Sequence, residues 1–191
     1  DLVLGVFEDR FGTVWAGTSM GLQIFNPDNL SFSSVDLGDP SSPGSTQHIS
    51  SIAEVAVGGG STEIWVATSQ HGIYIIDPET HALKGDRRDL LGSNLPSAFV
   101  YSVYQDSRGW VWISSETGGL SAVDASTLQR IPLNPGGDIV VRAFAEDASS
   151  GDVLLATMSG LFVYDSADGV LRRSSDPTAR DCQYEFFPSV T

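Results

Sequence analysis

The sequence is short of the features that would place it quickly. Its 191 residues hold one cysteine, Cys182, so no intrachain disulfide can form and cysteine gives no sign of the redox compartment. Basic side chains are scarce: ten Lys and Arg stand against 24 Asp and Glu, a formal net charge of −14. Such a balance repels phosphate backbones and anionic lipid head groups, which excludes nucleic acid as an expected partner. No apolar stretch approaches the roughly eighteen residues that a spanning helix needs, so membrane insertion by this segment is not expected. Helical periodicity is also missing. There is no Met start and no signal peptide, and Leu2 to Phe7 already reads as a strand. The expectation is a segment cut from a longer protein.

What the sequence has is repetition. Val14-Trp15-Ala16-Gly17-Thr18 followed by Gly21-Leu22-Gln23-Ile24-Phe25-Asn26-Pro27 recurs as Ile64-Trp65-Val66-Ala67-Thr68 with Gly72 to Pro78. A third copy runs Val111 to Ser115 and Gly119 to Asp124, and a fourth Val153 to Thr157 and Gly160 to Asp165. Counted between Trp15, Trp65, Trp112 and Leu154, the spacing is 50, 47 and 42 residues. That period suits a four-stranded antiparallel propeller blade. Apolar runs at Leu2–Phe7, Ile49–Val57, Val100–Tyr104 and Ile139–Phe144 supply the innermost strands. Weaker stretches such as Ser31–Val35 and Ala82–Lys84 supply the outermost. The fold class is therefore all-β, a β-propeller of which four blades are present, at 1–48, 49–98, 99–138 and 139–184. Residues 185–191 are expected to begin a further blade or to pair with the first. Four blades close a ring only tightly, so the chain is expected to be part of a larger ring. The remaining blades of the parent protein, or a homo-oligomer such as an eight-bladed ring of two copies, would complete it.

First and second strands are joined by Glu8-Asp9-Arg10-Phe11-Gly12, Gln105-Asp106-Ser107-Arg108-Gly109 and Glu146 to Gly151. The Asp is expected to accept backbone N–H groups ahead of it, and the Gly to take the positive φ that closes the turn. The second copy replaces this turn with Ala56 to Thr62, whose three glycines predict the loosest hairpin. Trp15, Trp65 and Trp112 could pass for a sugar-stacking set. Their fixed place in each copy, taken by Leu154 in the fourth, marks them instead as the wedge between blades.

The pattern hydrophobic-x-x-hydrophobic-Glu-Asp-x-x-Gly-x-hydrophobic-Trp-hydrophobic-Gly-Thr-x-x-Gly-Leu, which Val3 to Leu22 fits almost residue for residue, resembles the two-component regulator propeller repeat. The resemblance extends along the chain and is weakest in the fourth copy. It implies a ligand-sensing propeller on the periplasmic or extracellular side of a bacterial membrane protein, linked to a histidine kinase or diguanylate cyclase output.

Propeller sites favour the face formed by second-to-third strand loops and blade-to-blade connections. Here those segments carry Ser19-Met20, Ser69-Gln70-His71, Glu116-Thr117-Gly118, Met158-Ser159, Gln47-His48, Asn94 and Asn134. Gln70, His71, Glu116 and His48, with Arg142 as the one arginine on an innermost strand, are the candidate ligand-binding residues. Their amide, imidazole and charged groups suit an oligosaccharide or another small polar ligand. No catalytic residue, cofactor or metal is expected. Three other readings stay open: a structural or protein-interaction scaffold; a streptogramin-lyase-like propeller, with His48, His71 and Glu116 as an acid/base or metal set; and a glycan-acting enzyme, for which the arginines are too few.

Overall fold

The computed structural model describes residues 2–38, 47–86, 99–116, 119–133 and 139–174. Within them lie four antiparallel four-stranded sheets, each paired in sequence order as a meander. The first holds β1 (Val3–Glu8), β2 (Val14–Thr18), β3 (Gly21–Asn26) and β4 (Ser31–Ser34). The second holds β5 (Ile49–Gly58), β6 (Ser61–Thr68), β7 (Ile73–Ile76) and β8 (Leu83–Asp86). The third holds β9 (Val100–Gln105), β10 (Trp110–Ser115), β11 (Gly119–Asp124) and β12 (Arg130–Ile131). The fourth holds β13 (Val141–Glu146), β14 (Val153–Thr157), β15 (Gly160–Asp165) and β16 (Val170–Arg173). The expected strand at 185–191, and Asn94, Thr117, Gly118, Asn134 and Cys182, lie outside the described residues.

The turns follow from their side chains. Asp9 Oδ1 accepts the backbone N–H of Phe11 and of Thr13, both at 2.9 Å, and Asp106 Oδ1 accepts those of Arg108 and Trp110 at 3.0 Å. Gly12 and Gly109 sit at φ 79° and 86°, where a Cβ would be strained. The second hairpin departs from expectation. Its ladder runs on to Gly58↔Ser61, leaving Gly59 and Gly60, at φ 62° and 79°, as a two-residue turn. Three glycines in a row let the chain take the doubly positive-φ turn that matches strand twist, so the strands lengthen instead of the loop. Third-to-fourth strand turns are equally regular. Asn26, Asp77, Asp124 and Asp165 each accept the N–H two residues on, and the residue four on is left-handed: Leu30, His81, Leu128 and Gly169.

The core lies between sheets. Trp15, Trp65 and Trp112 are fully buried, each packed against the sheet that follows. Trp15 joins Ile49, Ile64 and Val66; Trp65 joins Val100 and Val103; Trp112 joins Val141, Val153 and Leu155. A second contact repeats at the far end of each first strand. Glu54 accepts the N–H of Arg10 at 3.0 Å, Gln105 that of Ala56 at 2.7 Å, and Glu146 that of Ser107 at 2.9 Å. Glu54, Gln105 and Glu146 hold one ladder position, opposite Ile64, Val111 and Val153. Glu54 and Glu146 therefore clasp the turn of the preceding sheet, and Gln105 clasps β5 just before its turn. The two outer faces differ from the inner ones. Val3 is 55% exposed, whereas its counterparts Ile49, Val100 and Val141 are 1%, 0% and 0% exposed. At the other end Leu154 is half-buried and Ala156 exposed, where Ala67 and Ser114 are fully buried.

Candidate ligand-binding edge

The second-to-third strand loops of the first, second and fourth sheets share one closure. Thr18, Thr68 and Thr157 end their strands, and their hydroxyls donate to the carbonyls of Gly21, Gly72 and Gly160 at 2.9, 3.0 and 2.6 Å. The same oxygens accept the N–H of Met20, His71 and Ser159 at 3.0, 3.0 and 3.1 Å. Loop and first-strand entrance are then tied by backbone bonds: Ser19 to Leu2 at 2.9 Å, and Ser69 to His48 and Glu116 to Phe99 at 3.0 Å each. Loops and entrances therefore adjoin at one end of each sheet.

A bulge recurs at that end. Register shifts between Val3 and Gly5, Ile49 and Ser51, Val100 and Ser102, and Val141 and Ala143 leave Leu4, Ser50, Tyr101 and Arg142 outside the ladder pairs. A bulged residue is released from the alternation of its strand and can be aimed elsewhere. Here it reaches the next sheet: Ser50 Oγ donates to Val100 O at 2.5 Å, and the Arg142 guanidinium carbon lies 4.3 Å from the Tyr101 ring centre.

The five sequence candidates fall into two groups along this edge. His48, Gln70 and His71 belong to the second sheet, with His48 and Gln70 exposed and His71 half-buried. His71 Nδ1 lies 2.7 Å from Oε1 of the buried Gln47, which fixes the imidazole plane. Glu116 and Arg142 belong to the third and fourth sheets and are exposed. Phe99 and Tyr101 complete this second group, their ring centres 4.6 Å apart, and Met158 Sδ lies 3.9 Å from Arg142 Nη2. The arrangement offers a guanidinium on an aromatic ring, which can hold polar ligand groups and stack an apolar face, and Glu116 adjoins it through its backbone N–H on Phe99 O. Among the described residues no three His, Cys, Asp or Glu side chains gather as metal ligands would, so the His48, His71 and Glu116 set does not form such a centre. Sequence reasoning missed Phe99 and Tyr101, which read as ordinary strand positions flanking Val100. Their signal was alternation of two aromatics at a strand entrance.

Sheets of this build, wedged by a tryptophan and clasped turn to strand, define a run of β-propeller blades. Residues 94–117, which span the third first strand, the Asp106 turn and Trp112, match the family model of the two component regulator propeller. The chain thus carries that repeat. No curated protein matches it by sequence. Among solved structures it is similar to the extracellular domain assigned to the hybrid two component system BT3049 of B. thetaiotaomicron. That match has a TM-score of 0.69 and 23% identity over 89% of this chain and 23% of that one. The chain therefore spans about a quarter of that domain. It is similar also to the β-propeller domain of Myceliophteria thermophila Cps50 (Swd1), with TM-score 0.59 and 12% identity over 86% of this chain and 56% of that one. An inactive variant of Staphylococcus aureus virginiamycin B lyase with quinupristin gives TM-score 0.63 and 12% identity over 90% and 54%. At these identities the likeness is one of fold.

Proposed function

We propose that the chain is a ligand-sensing β-propeller segment of a bacterial signal-transduction protein, working on the periplasmic or extracellular side of the membrane and not itself catalytic. The single observation that carries the reading is the two component regulator propeller match at 94–117. The likeness to the extracellular domain of BT3049 supports the compartment. The ligand we infer is an oligosaccharide or another small polar molecule held at the edge described above. Arg142, Glu116 and Tyr101 form one half of that edge and His71, Gln70 and His48 the other.

Thermal shift across a panel of oligosaccharides and small organic acids tests the reading. A ligand at a hundredfold excess over its dissociation constant stabilises the protein by about 2.7 kcal/mol, a shift of several degrees. Arg142→Ala is expected to abolish the shift without lowering the unliganded melting temperature, and His71→Ala to abolish it from a lower unliganded value, because buried Gln47 loses the His71 contact. No shift with any ligand would favour a scaffold. The likeness to virginiamycin B lyase favours a second reading, an enzyme. Turnover of quinupristin that is lost in His71→Ala would establish it.

A further inference from the structure

In a chain with a formal net charge of −14, most of the described cations are neutralised where they stand. Arg10 meets Glu54, Lys84 meets Glu63, Arg108 meets Asp106, and Arg172 meets Asp165 and Asp168. Arg142 and Arg173 differ. Both are exposed, and neither meets a carboxylate among the described residues. Each is held instead by contacts that orient a guanidinium without cancelling its charge. Arg142 lies 4.3 Å from the Tyr101 ring centre with Nη2 3.9 Å from Met158 Sδ, and Arg173 Nη2 donates to the Ser159 carbonyl at 2.6 Å.

Met158 and Ser159 are consecutive, so both guanidiniums are brought to one loop. The Thr157 hydroxyl closes that loop on the Gly160 carbonyl and the Ser159 N–H. Gly160 leaves room for the second arginine, since a Cβ there would lie 3.4 Å from Arg173 Nη2 and 3.6 Å from its Nε. The sheets set the direction of both side chains. Arg173 stands opposite Phe162 in the ladder and shares its face, and Phe162 packs into the core between the third and fourth blades. Arg142 reaches Tyr101 of the third blade. The two charges therefore stand at the loop end of an interface whose blades are both described. The first and second blades place no cation at either position: their bulge residues are Leu4 and Ser50, and the residues in the place of Arg173, opposite Gln23 and Tyr74, are Ser34 and Asp86.

We propose that Arg142 and Arg173 form an oxyanion subsite, and that the ligand of the sensing reading above, on which this inference rests, is a saccharide carrying a carboxylate. The planar fork of a guanidinium matches the two oxygens of a carboxylate, and charge-assisted hydrogen bonds of this kind are the strong ones. An incoming carboxylate also relieves the repulsion between two like charges held at neighbouring residues. Beside them the half-buried Phe99 and Tyr101 rings, 4.6 Å apart, offer the apolar surface on which a sugar ring stacks. Glu116, exposed on the same edge and bonded to Phe99 O through its N–H, is left to accept sugar hydroxyls. The charge of the whole chain limits the ligand in turn. At −14 it repels a polyanion, so a single acid group on an otherwise neutral saccharide fits the site and the chain together.

Calorimetric titration of the 191-residue chain tests this with oligosaccharides of xylose, galactose or glucose that each bear one glucuronate, with their methyl esters, and with free glucuronate. An acid form is expected to bind roughly tenfold or more tightly than its ester, which keeps the shape and loses the charge. It should also bind more tightly than glucuronate, which lacks the sugar body. Added salt should weaken the acid form and leave the ester unchanged. Arg142→Gln and Arg173→Gln should each weaken the acid form roughly ten- to hundredfold and bring the acid-to-ester ratio towards one. That ratio separates recognition from damage, because a disturbed loop weakens acid and ester together. Equal binding of acid and ester, or a ratio that neither variant changes, would overturn the subsite and leave the sensing reading standing. Glucuronate binding as tightly as the whole sugar would overturn the saccharide class. If no acid form binds, the subsite is overturned alone where a neutral oligosaccharide gives a thermal shift, and together with the sensing reading where none does.

Discussion

The Trp112 indole N–H donates to Asp106 Oδ2 at 2.8 Å, joining the tip of a hairpin to the wedge between two blades. The first blade repeats the pair, with Trp15 and Asp9 also 2.8 Å apart. One carboxylate thus closes a turn with one oxygen and fixes a core side chain with the other. Asp106→Ala should cost about 2–4 kcal/mol, because it leaves a buried indole donor and turn N–H groups without their acceptor. Urea unfolding of Asp106→Ala, Trp112→Phe and the double variant checks this. A coupling below about 0.5 kcal/mol would show that the two residues act independently.

Between the first two blades the packing leaves no room at Gly17. Its added Cβ would lie 2.8 Å from Ile49 Cγ2 and 3.3 Å from Ile52 Cδ1. Gly17→Ala should destabilise by about 1–3 kcal/mol through overpacking. An unchanged urea midpoint would mean that the first and second blades can move apart.

Acid should loosen the outer turns before it touches the core. Asp124 is held at about 2 by the Ser126 hydroxyl, then by the Thr127 N–H and hydroxyl. Asp77, Asp147, Asp152 and Asp168 are also held below the ordinary value, chiefly by a Thr80 N–H, a Ser149 hydroxyl, a Ser166 N–H and the Arg172 side chain. A carboxylate depressed in the folded state adds stability that is present above its unfolded value near 4. That stability is lost as pH falls through the folded value. The melting temperature should therefore decline from about pH 5 to pH 2, and less steeply in Asp124→Asn. Parallel profiles for the two proteins would refute this.

Leu30 presents the opposite case, a residue the fold tolerates and does not need. It is 77% exposed at φ 55°, at the turn position that the fourth blade gives to Gly169. Relief of left-handed strain by Leu30→Gly, worth about 1–2 kcal/mol, exceeds the entropy glycine loses on folding, about 0.5–1 kcal/mol. A net rise in stability is expected in thermal unfolding, and a fall would show that Leu30 makes a contact worth more than its strain.

Much of this was legible in the sequence because the repeat displays each strand four times. The Asp–Gly turns and the buried tryptophans follow from residue type at fixed spacing. The partner of each indole does not, because it changes with the blade. Glu63 accepts the Trp65 N–H at 3.1 Å from within the same strand, where the second turn has no Asp to offer. The clasp was hidden for a related reason. Glu54, Gln105 and Glu146 look like ordinary polar strand ends until a neighbouring blade supplies the N–H. At the candidate edge His71 could be placed in its loop from sequence. Tyr101 and Arg142 meet only because a bulge in each first strand releases them from the ladder, and nothing in residue type announces a bulge.

The threonine closure separates what a loop is made of from what holds it. Thr18 and Thr68 bond backbone atoms, so the tip side chains Met20 and Gln70 take no part in the closure, whereas Thr157 also meets the Ser159 hydroxyl at 3.2 Å. Replacing Met20 or Gln70 therefore leaves the hinge of the loop intact. Under the ligand-sensing reading proposed above, positions 20 and 70 are then free to change what they present without disturbing the backbone that carries them.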